Sequence, residues 1–173
     1  ESVELALAYA QALGCRRVHC LAGLRPAGVG EAELEATYIA NLRFAADRFA
    51  TIGATVTIEP INSRIDMPGY WLDDVAKGFR LLEAVDRDNV KLQYDIYHAQ
   101  IIAGDLARTL EAHIGRIGHI QIADNPGRHE PGSGEINYPF LFDLLDRIGY
   151  DGWVGCEYQP LTTTEAGLGW LPK

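Results

Sequence analysis

The chain has 173 residues, of which 47% are hydrophobic and 23% charged, as is ordinary for a globular protein with a sizeable core. Its net charge of −9, without any cluster of Lys or Arg, argues against a nucleic-acid-binding surface, which needs a basic stripe. No apolar run approaches the roughly 18 residues of a membrane span. The three scattered cysteines form no disulfide framework, which favours a reducing, cytoplasmic compartment.

Helical and strand-like patterns alternate along the chain, with Gly and Pro between them. In chain order, the patterns predict a helix over 2–13, a strand over 17–23, a helix over 31–50, a strand over 55–61, a helix over 72–85, a strand over 90–97, a helix from about 105 to 113, a strand over 117–123, a helix over 138–148 and a strand over 153–158. One short helix is predicted near 164–170, within a tail over 160–173.

The alternation predicts an α/β fold, because strands that never follow one another directly form βα units around a parallel sheet. Neither a linker nor a shift in composition divides residues 1–173, so we expect a single domain. Five such units fall short of the eight, in about 250 residues, that close a (β/α)8 TIM barrel. We therefore expect a partial barrel made of the last five βα units, with about three further strands before Glu1.

Oxygen-bearing side chains recur at or near the carboxyl ends of four predicted strands: Glu59, Asp95, Gln121 and Glu157. In α/β sheets and barrels the functional site lies at these ends. Carboxylates in a small volume raise one another's pKa by repulsion, and a divalent cation removes that repulsion. Oxygen ligands favour Mg²⁺ or Mn²⁺ over Zn²⁺. The alternative is that each acid caps a following loop or pairs with an arginine.

Two histidines stand close to these acids in sequence. His98 lies three residues after Asp95, and we interpret it as a substrate hydrogen-bond donor beside the metal. The alternative is a loop histidine bonded to the backbone. His119 stands two residues before Gln121, and strand residues so spaced share a face, so His119 either points at the site or is a satisfied core histidine.

The longest irregular stretch is the polar, Gly- and Pro-rich loop over 125–137, and long loops in compact domains tend to be functional. Arg128 and His129 are its only basic residues, and we predict that they bind a substrate carboxylate, with Arg128 suited to bidentate contact. The alternative is a surface salt bridge with Glu130 or Glu135.

Four segments carry a resemblance to a known family: EPIN at 59–62, DIYHAQ at 95–100, HIQIADNPGRHEPGSGEINY at 119–138 and GWVGCEY at 152–158. They resemble the hydroxypyruvate isomerase family, within the xylose-isomerase-like TIM barrels. The resemblance covers essentially the whole chain, as the later two thirds of a family member. The loop segment is the specific part, since EPxN or DxxH alone would be weak.

The resemblance implies a (β/α)8 barrel whose strands five to eight each supply one metal ligand, here Glu59, Asp95, Gln121 and Glu157. In the related ketose epimerases the third ligand is typically His, so Gln121 fits the hydroxypyruvate isomerase branch. The epimerase pattern also implies that His98 and Arg128 contact substrate oxygens.

These residues suit aldose–ketose isomerisation, in which a proton leaves the carbon beside a carbonyl and returns to the neighbouring carbon through an enediolate. A metal stabilises the developing negative charge, and two carboxylates act as base and acid, roles that we assign to Glu59 and Glu157. The leading hypothesis is the interconversion of hydroxypyruvate and 2-hydroxy-3-oxopropanoate (tartronate semialdehyde), with a small-molecule substrate and neither nucleic acid nor membrane as partner. A homo-oligomer is left open.

Three alternatives belong beside that hypothesis. The closest is a 2-oxo-tetronate isomerase or a ketose 3-epimerase. A DNA-repair nuclease of the same superfamily would need many histidines for several Zn²⁺ ions and a basic face, and five histidines with a charge of −9 argue against it. The non-enzyme alternative is an inactive barrel fragment or binding module, against which the presence of both Glu59 and Glu157 argues and for which the expected lack of the first strands argues.

Overall fold

The structure, a computed structural model, describes residues 1–171, so Pro172 and Lys173 at the end of the predicted tail lie outside the described residues. The strands are β1 (Arg17–His19), β2 (Thr55–Ile58), β3 (Val90–Asp95), β4 (Ile117–Ile122) and β5 (Val154–Cys156). The α-helices are α1 (Ser2–Leu13), α2 (Glu31–Ala50), α3 (Val75–Val85), α4 (Ile96–Ile102), α5 (Leu106–His113) and α6 (Tyr138–Arg147). Short 3-10 helices lie at Ile114–Arg116 and at Ala166–Leu168, the latter inside the segment predicted as a short helix.

The strands form one parallel sheet in the order β1-β2-β3-β4-β5. This is the arrangement of five consecutive units of a (β/α)8 barrel, so the predicted α/β partial barrel is confirmed. Because parallel strands run in one direction, their carboxyl ends lie at one edge of the sheet. There Asp95 pairs in register with Gln121, and Gln121 with Gly155.

The two outer strands are shorter than predicted. β1 and β5 each have three residues, because among residues 1–171 each pairs with one neighbouring strand and only over that length. Trp153, predicted to begin β5, lies outside the strand and is 78% exposed.

β3 ends earlier than predicted and leads directly into a helix that the sequence pattern missed. The Asp95 side chain accepts hydrogen bonds from the backbone N–H groups of Tyr97 (2.8 Å) and His98 (3.2 Å). Asp95 is therefore the N-cap of α4, and this local capping turns the chain from strand to helix. His98 consequently lies in the first turn of α4 rather than in a loop.

The helix α3 begins at Val75, three residues later than predicted. Its N-cap is Asp74, whose side chain accepts a hydrogen bond from Lys77 N at 2.6 Å. A helix over 72–85 would place Asp73 and Asp74 in its first turn, but both residues precede the observed helix. Capping satisfies a backbone N–H that the first turn leaves unpaired.

The core lies between the sheet and the helices, and α2 contributes Leu42 and Phe49, which lie seven residues apart and so share one face of the helix. In α6, Phe140 does not belong to the core and is 47% exposed. Tyr138 is buried instead, and its hydroxyl donates to the carbonyl of Ala123 at 2.7 Å. Within residues 1–171, no helix combines the length and apolar character needed to cross a membrane.

Candidate metal centre

Two buried carboxyl groups meet at the carboxyl edge of the sheet. Glu59 directly follows β2, and Asp95 is the last residue of β3. Both side chains are nearly inaccessible, and each offers an oxygen within 4.8 Å of the other and of a ring nitrogen of His98. The sheet edge thus gathers three groups that the sequence predicted to lie together.

Each of these carboxyl groups has one oxygen without a partner. Within the described chain, Glu59 Oε1 and Asp95 Oδ2 are buried and accept no hydrogen bond. A buried polar atom without a partner is costly, and an explanation is usually a water or an ion. Two such oxygens, on carboxyl groups that approach each other within 4.8 Å, fit the donor set of a hard divalent cation such as Mg²⁺ or Mn²⁺.

The electrostatics of the pair point in the same direction. Burial, and then the charges of Asp95 and Glu157, raise the pKa of the Glu59 carboxyl to about 8. Burial, and to a lesser degree Glu157, raise the pKa of Asp95 to about 6. A cation between them would reverse this effect, because it stabilises the ionised form of both carboxyl groups.

His98 is a neutral imidazole with one defined tautomer. Burial, and then the positive charge of Arg128, lower its pKa to about 4. Asn62 Oδ1 accepts from two backbone N–H groups of the turn that follows it, so Asn62 Nδ2 faces His98 Nδ1 at 2.7 Å. An amide NH2 only donates, so Nδ1 accepts and Nε2 carries the proton. His98 therefore suits a hydrogen-bond donor better than a cation ligand.

The other two predicted ligands lie on β4 and just after β5. Gln121 Oε1 accepts a hydrogen bond from Gln93 Nε2 at 2.6 Å, and the same NH2 group donates to Glu59 Oε2 at 3.0 Å. Glu157 is half-exposed, and its Oε2 lies 3.4 Å from Arg128 Nη2. Gln121 thus joins Glu59 through Gln93, whereas Glu157 is paired with Arg128, and the role of Gln121 and Glu157 as ligands stays a prediction.

Sequence reasoning did not single out Gln93, although a signal was present. Gln93 stands two residues before Asp95 on β3, and strand residues so spaced share a face. The sequence therefore showed that Gln93 could lie on the same face as Asp95. It did not show that Gln93 contacts Glu59 and Gln121, because those contacts depend on the registers of the neighbouring strands.

The loop over 125–137 is held by an acid at the end of β4. The Asp124 carboxylate accepts hydrogen bonds of 2.8–3.0 Å from the backbone N–H groups of Asn125, Gly132, Gly134 and Ile136. A Cβ on Gly134 would lie 2.1 Å from the carbonyl oxygen of Asn125, so the loop needs glycine there. Asp124 is thus a structural anchor for the loop that carries Arg128.

Arg128 reaches the site from that loop. Its Nη1 lies 3.0 Å from Asp66 Oδ1, its Nη2 approaches Glu157, and its guanidinium lies 5.1 Å from the centre of the Tyr97 ring. The salt-bridge partners of Arg128 among the described residues are thus Asp66 and Glu157, not Glu130 or Glu135 as the alternative interpretation held. Arg128 thus places a positive charge near the carboxyl groups, and its role in binding a substrate carboxylate stays a prediction.

Among the described residues, the side-chain contacts of His129 are with Gln159 and Gly127 and not with the buried carboxyl groups. Its Nδ1 bonds to the carbonyl oxygen of Gln159 at 2.7 Å, and its ring lies against Gly127. Glu130 accepts from the backbone N–H of Leu161, in the same segment after β5. Both side chains tie the loop to that segment, and a substrate-binding role for His129 stays a prediction.

Comparison with known proteins gives the chain a family. A sequence model of the xylose isomerase-like TIM barrel family matches residues 1–173. A 2-oxo-tetronate isomerase of Cupriavidus necator is 54% identical over 98% of this chain, and a hydroxypyruvate isomerase of Escherichia coli K12 is 47% identical over 99% of it. The chain spans 65% and 66% of the length of these two curated relatives.

A solved structure from Brucella melitensis, named an AP endonuclease of family 2, has a TM-score of 0.93 and 49% identity, and the match covers 97% of this chain and 64% of that one. The 47% identity to the hydroxypyruvate isomerase of E. coli K12 confirms the resemblance to this family that four sequence segments indicated. The chain belongs to the xylose isomerase-like TIM barrel family.

Proposed function

We propose that the chain carries the metal-binding and proton-transfer residues of an isomerase of small hydroxy-oxo acids. The reaction would interconvert hydroxypyruvate and 2-hydroxy-3-oxopropanoate. One observation carries the proposal: Glu59 and Asp95 lie close together at the sheet edge, buried, each with one oxygen that has no partner among residues 1–171. The names of the two curated relatives support the reaction class.

Four oxygen donors at the strand ends would hold the cation: Glu59, Asp95, Gln121 and Glu157. This set favours Mg²⁺ or Mn²⁺. When bound, the cation supplies positive charge that stabilises the negative charge developing on two neighbouring substrate oxygens.

Residues of the chain itself transfer the proton and bind the substrate. We assign Glu59 and Glu157 as the pair that removes the proton beside the carbonyl and returns it to the next carbon. A carboxylate that binds a cation through one oxygen keeps a second oxygen for the proton. His98 donates its Nε2–H to a substrate oxygen, and Arg128 binds the substrate carboxylate.

A second candidate differs only in the length of the substrate. The relative from C. necator bears the name 2-oxo-tetronate isomerase and is the more similar of the two, which favours a four-carbon acid. A panel of hydroxypyruvate, 2-oxo-tetronates and neutral ketoses, each assayed with Mg²⁺ and Mn²⁺ on the complete gene product, decides between them. Turnover of neutral ketoses alone would favour an epimerase and contradict the proposal.

The nuclease alternative remains disfavoured on chemistry. Only two histidines lie in the described surroundings of Glu59 and Asp95, His98 and His19, whose Nε2 lies 3.4 Å from Glu59 Oε2, and the chain carries a charge of −9. We therefore propose a small molecule, not nucleic acid, as the partner of this site.

Cys15, Cys20 and Cys156 are free thiols, which supports the proposed cytoplasmic location.

A further inference from the structure

Gln93 occupies a central position beneath the candidate metal centre. It lies on β3, between β2 and β4, and its side chain is buried. Its single NH2 group donates to Glu59 Oε2 on one side and to Gln121 Oε1 on the other. One donor group with two hydrogens thus meets two acceptors, each from a different proposed ligand.

The orientation of the Gln93 amide is fixed by its surroundings. Its Oε1 faces the hydroxyl of Thr57, which is fully buried and donates to it at 3.4 Å. Turning the amide over would place Oε1 against the carboxylate of Glu59 and the amide oxygen of Gln121. Once a cation keeps Glu59 ionised, three acceptors would then face one another without a hydrogen, which is unfavourable in a buried site.

This orientation decides which atoms the neighbouring ligands present. Gln121 turns its oxygen, not its NH2, towards Gln93, and a carbonyl oxygen keeps a second lone pair for a cation. In Glu59, the hydrogen bond to Gln93 engages Oε2, which leaves the buried and unpartnered Oε1. Without Gln93, the Gln121 NH2 would be free to turn towards the Glu59 carboxylate, and an NH2 cannot bind a cation.

We propose that Gln93 is a positioning residue that presents Gln121 Oε1 and Glu59 Oε1 to the cation. This inference rests on the proposed function and adds a residue to it. Partners of this kind orient metal ligands, and their loss typically weakens metal affinity by roughly 10- to 100-fold.

The test is a Mn²⁺ titration of the chain and of Gln93→Met, which keeps the side-chain length and removes the donor. We expect the dissociation constant for Mn²⁺ to rise by about 10- to 100-fold. Gln100→Met is the matched control, because Gln100 lies on α4 and donates to exposed Glu135. Its Mn²⁺ affinity should equal that of the unmodified chain. A purely structural role would lower the unfolding temperature of metal-free Gln93→Met and leave its Mn²⁺ affinity unchanged, and that result would overturn the proposal.

A milder variant covers the case in which Gln93→Met does not fold. Thr57→Val removes only the hydroxyl that holds Gln93 Oε1, and it should weaken Mn²⁺ binding in the same direction. Unchanged Mn²⁺ affinity in folded Thr57→Val would then count against the proposal.

A metal-free measurement separates this inference from the proposed function. In nitrogen-15 NMR spectra, Gln93→Met should shift the Gln121 side-chain amide signals, whereas Gln100→Met should not. If the unmodified chain binds no Mn²⁺, the proposed function fails, and the NMR result still decides whether Gln93 orients Gln121. If the unmodified chain binds Mn²⁺ and Gln93→Met binds it equally well, only the role of Gln93 is overturned.

Discussion

Replacing Glu59 by Gln should stabilise the metal-free chain at neutral pH. Glu59 is 4% exposed, and its pKa is about 8 against an ordinary value of 4.5. A carboxyl group whose pKa is raised by folding stabilises the fold below its unfolded pKa, and this contribution is lost as the pH rises towards the folded pKa. Gln cannot ionise, so the Glu59→Gln variant keeps the stability that the unmodified chain loses as Glu59 ionises.

The size of the effect follows from the two pKa values. From pH 4.5 to pH 7, each pH unit costs the native state about 1.4 kcal/mol, which gives a total of about 3 kcal/mol. Metal-free Glu59→Gln should therefore have a free energy of unfolding about 3 kcal/mol higher than that of the unmodified chain at pH 7, and nearly the same at pH 4.5.

Urea unfolding in EDTA at these two pH values measures the difference. Gln11→Met, an exposed change on α1 that involves no titratable group, is the control and should alter stability equally at both pH values. With Mn²⁺ the order should reverse, because the unmodified chain gains stability from the cation and the variant loses a ligand. If metal-free Glu59→Gln is less stable at pH 7, the conclusion that this carboxyl group is strained by burial is refuted.

Three further predictions concern the reaction and the metal. Glu59→Gln and Glu157→Gln, each in the complete gene product, should abolish exchange of the substrate C–H with solvent deuterium, and normal exchange in either variant removes its acid/base role. Arg128→Ala should raise KM for a hydroxy-oxo acid more than for a neutral ketose, because only the acid has a carboxylate to bind, and an equal effect would rule out that contact. Mn²⁺ affinity, followed by calorimetry, should fall as the pH drops through about 8 and then about 6, where Glu59 and Asp95 take up protons that compete with the cation, and a constant affinity across this range would be inconsistent with both as ligands.

The fold was largely accessible from sequence where local signals are strong. The bounds of α1 and α2 agree with prediction, because apolar residues recur at helical spacing and Gly14, with φ of 64°, ends α1. The helix α4 was missed because Ile96 and Tyr97 are typical strand residues and extend the strand-like pattern of β3 in the sequence. Only the capping bonds to Asp95 reveal the change.

The site was accessible in part for a related reason. Strand ends placed Glu59 and Asp95 at one edge, since parallel strands share a direction. The contacts of Arg128 and Gln93 could not be predicted, because they join residues far apart in sequence. Arg128 bonds to Asp66, 62 positions away, and a shift of register between Leu92 and Gln93 brings Gln93 opposite His119. Such pairings arise from tertiary packing and leave no local pattern.

Crystals of the chain soaked in Mn²⁺ and measured at the manganese absorption edge test the metal centre most directly. We predict one strong anomalous peak at the carboxyl edge of the sheet, within ligand distance of oxygens from Glu59, Asp95, Gln121 and Glu157. A peak only at other sites, or none at this edge under conditions where Mn²⁺ occupies other carboxylates of the crystal, would contradict the proposed metal centre.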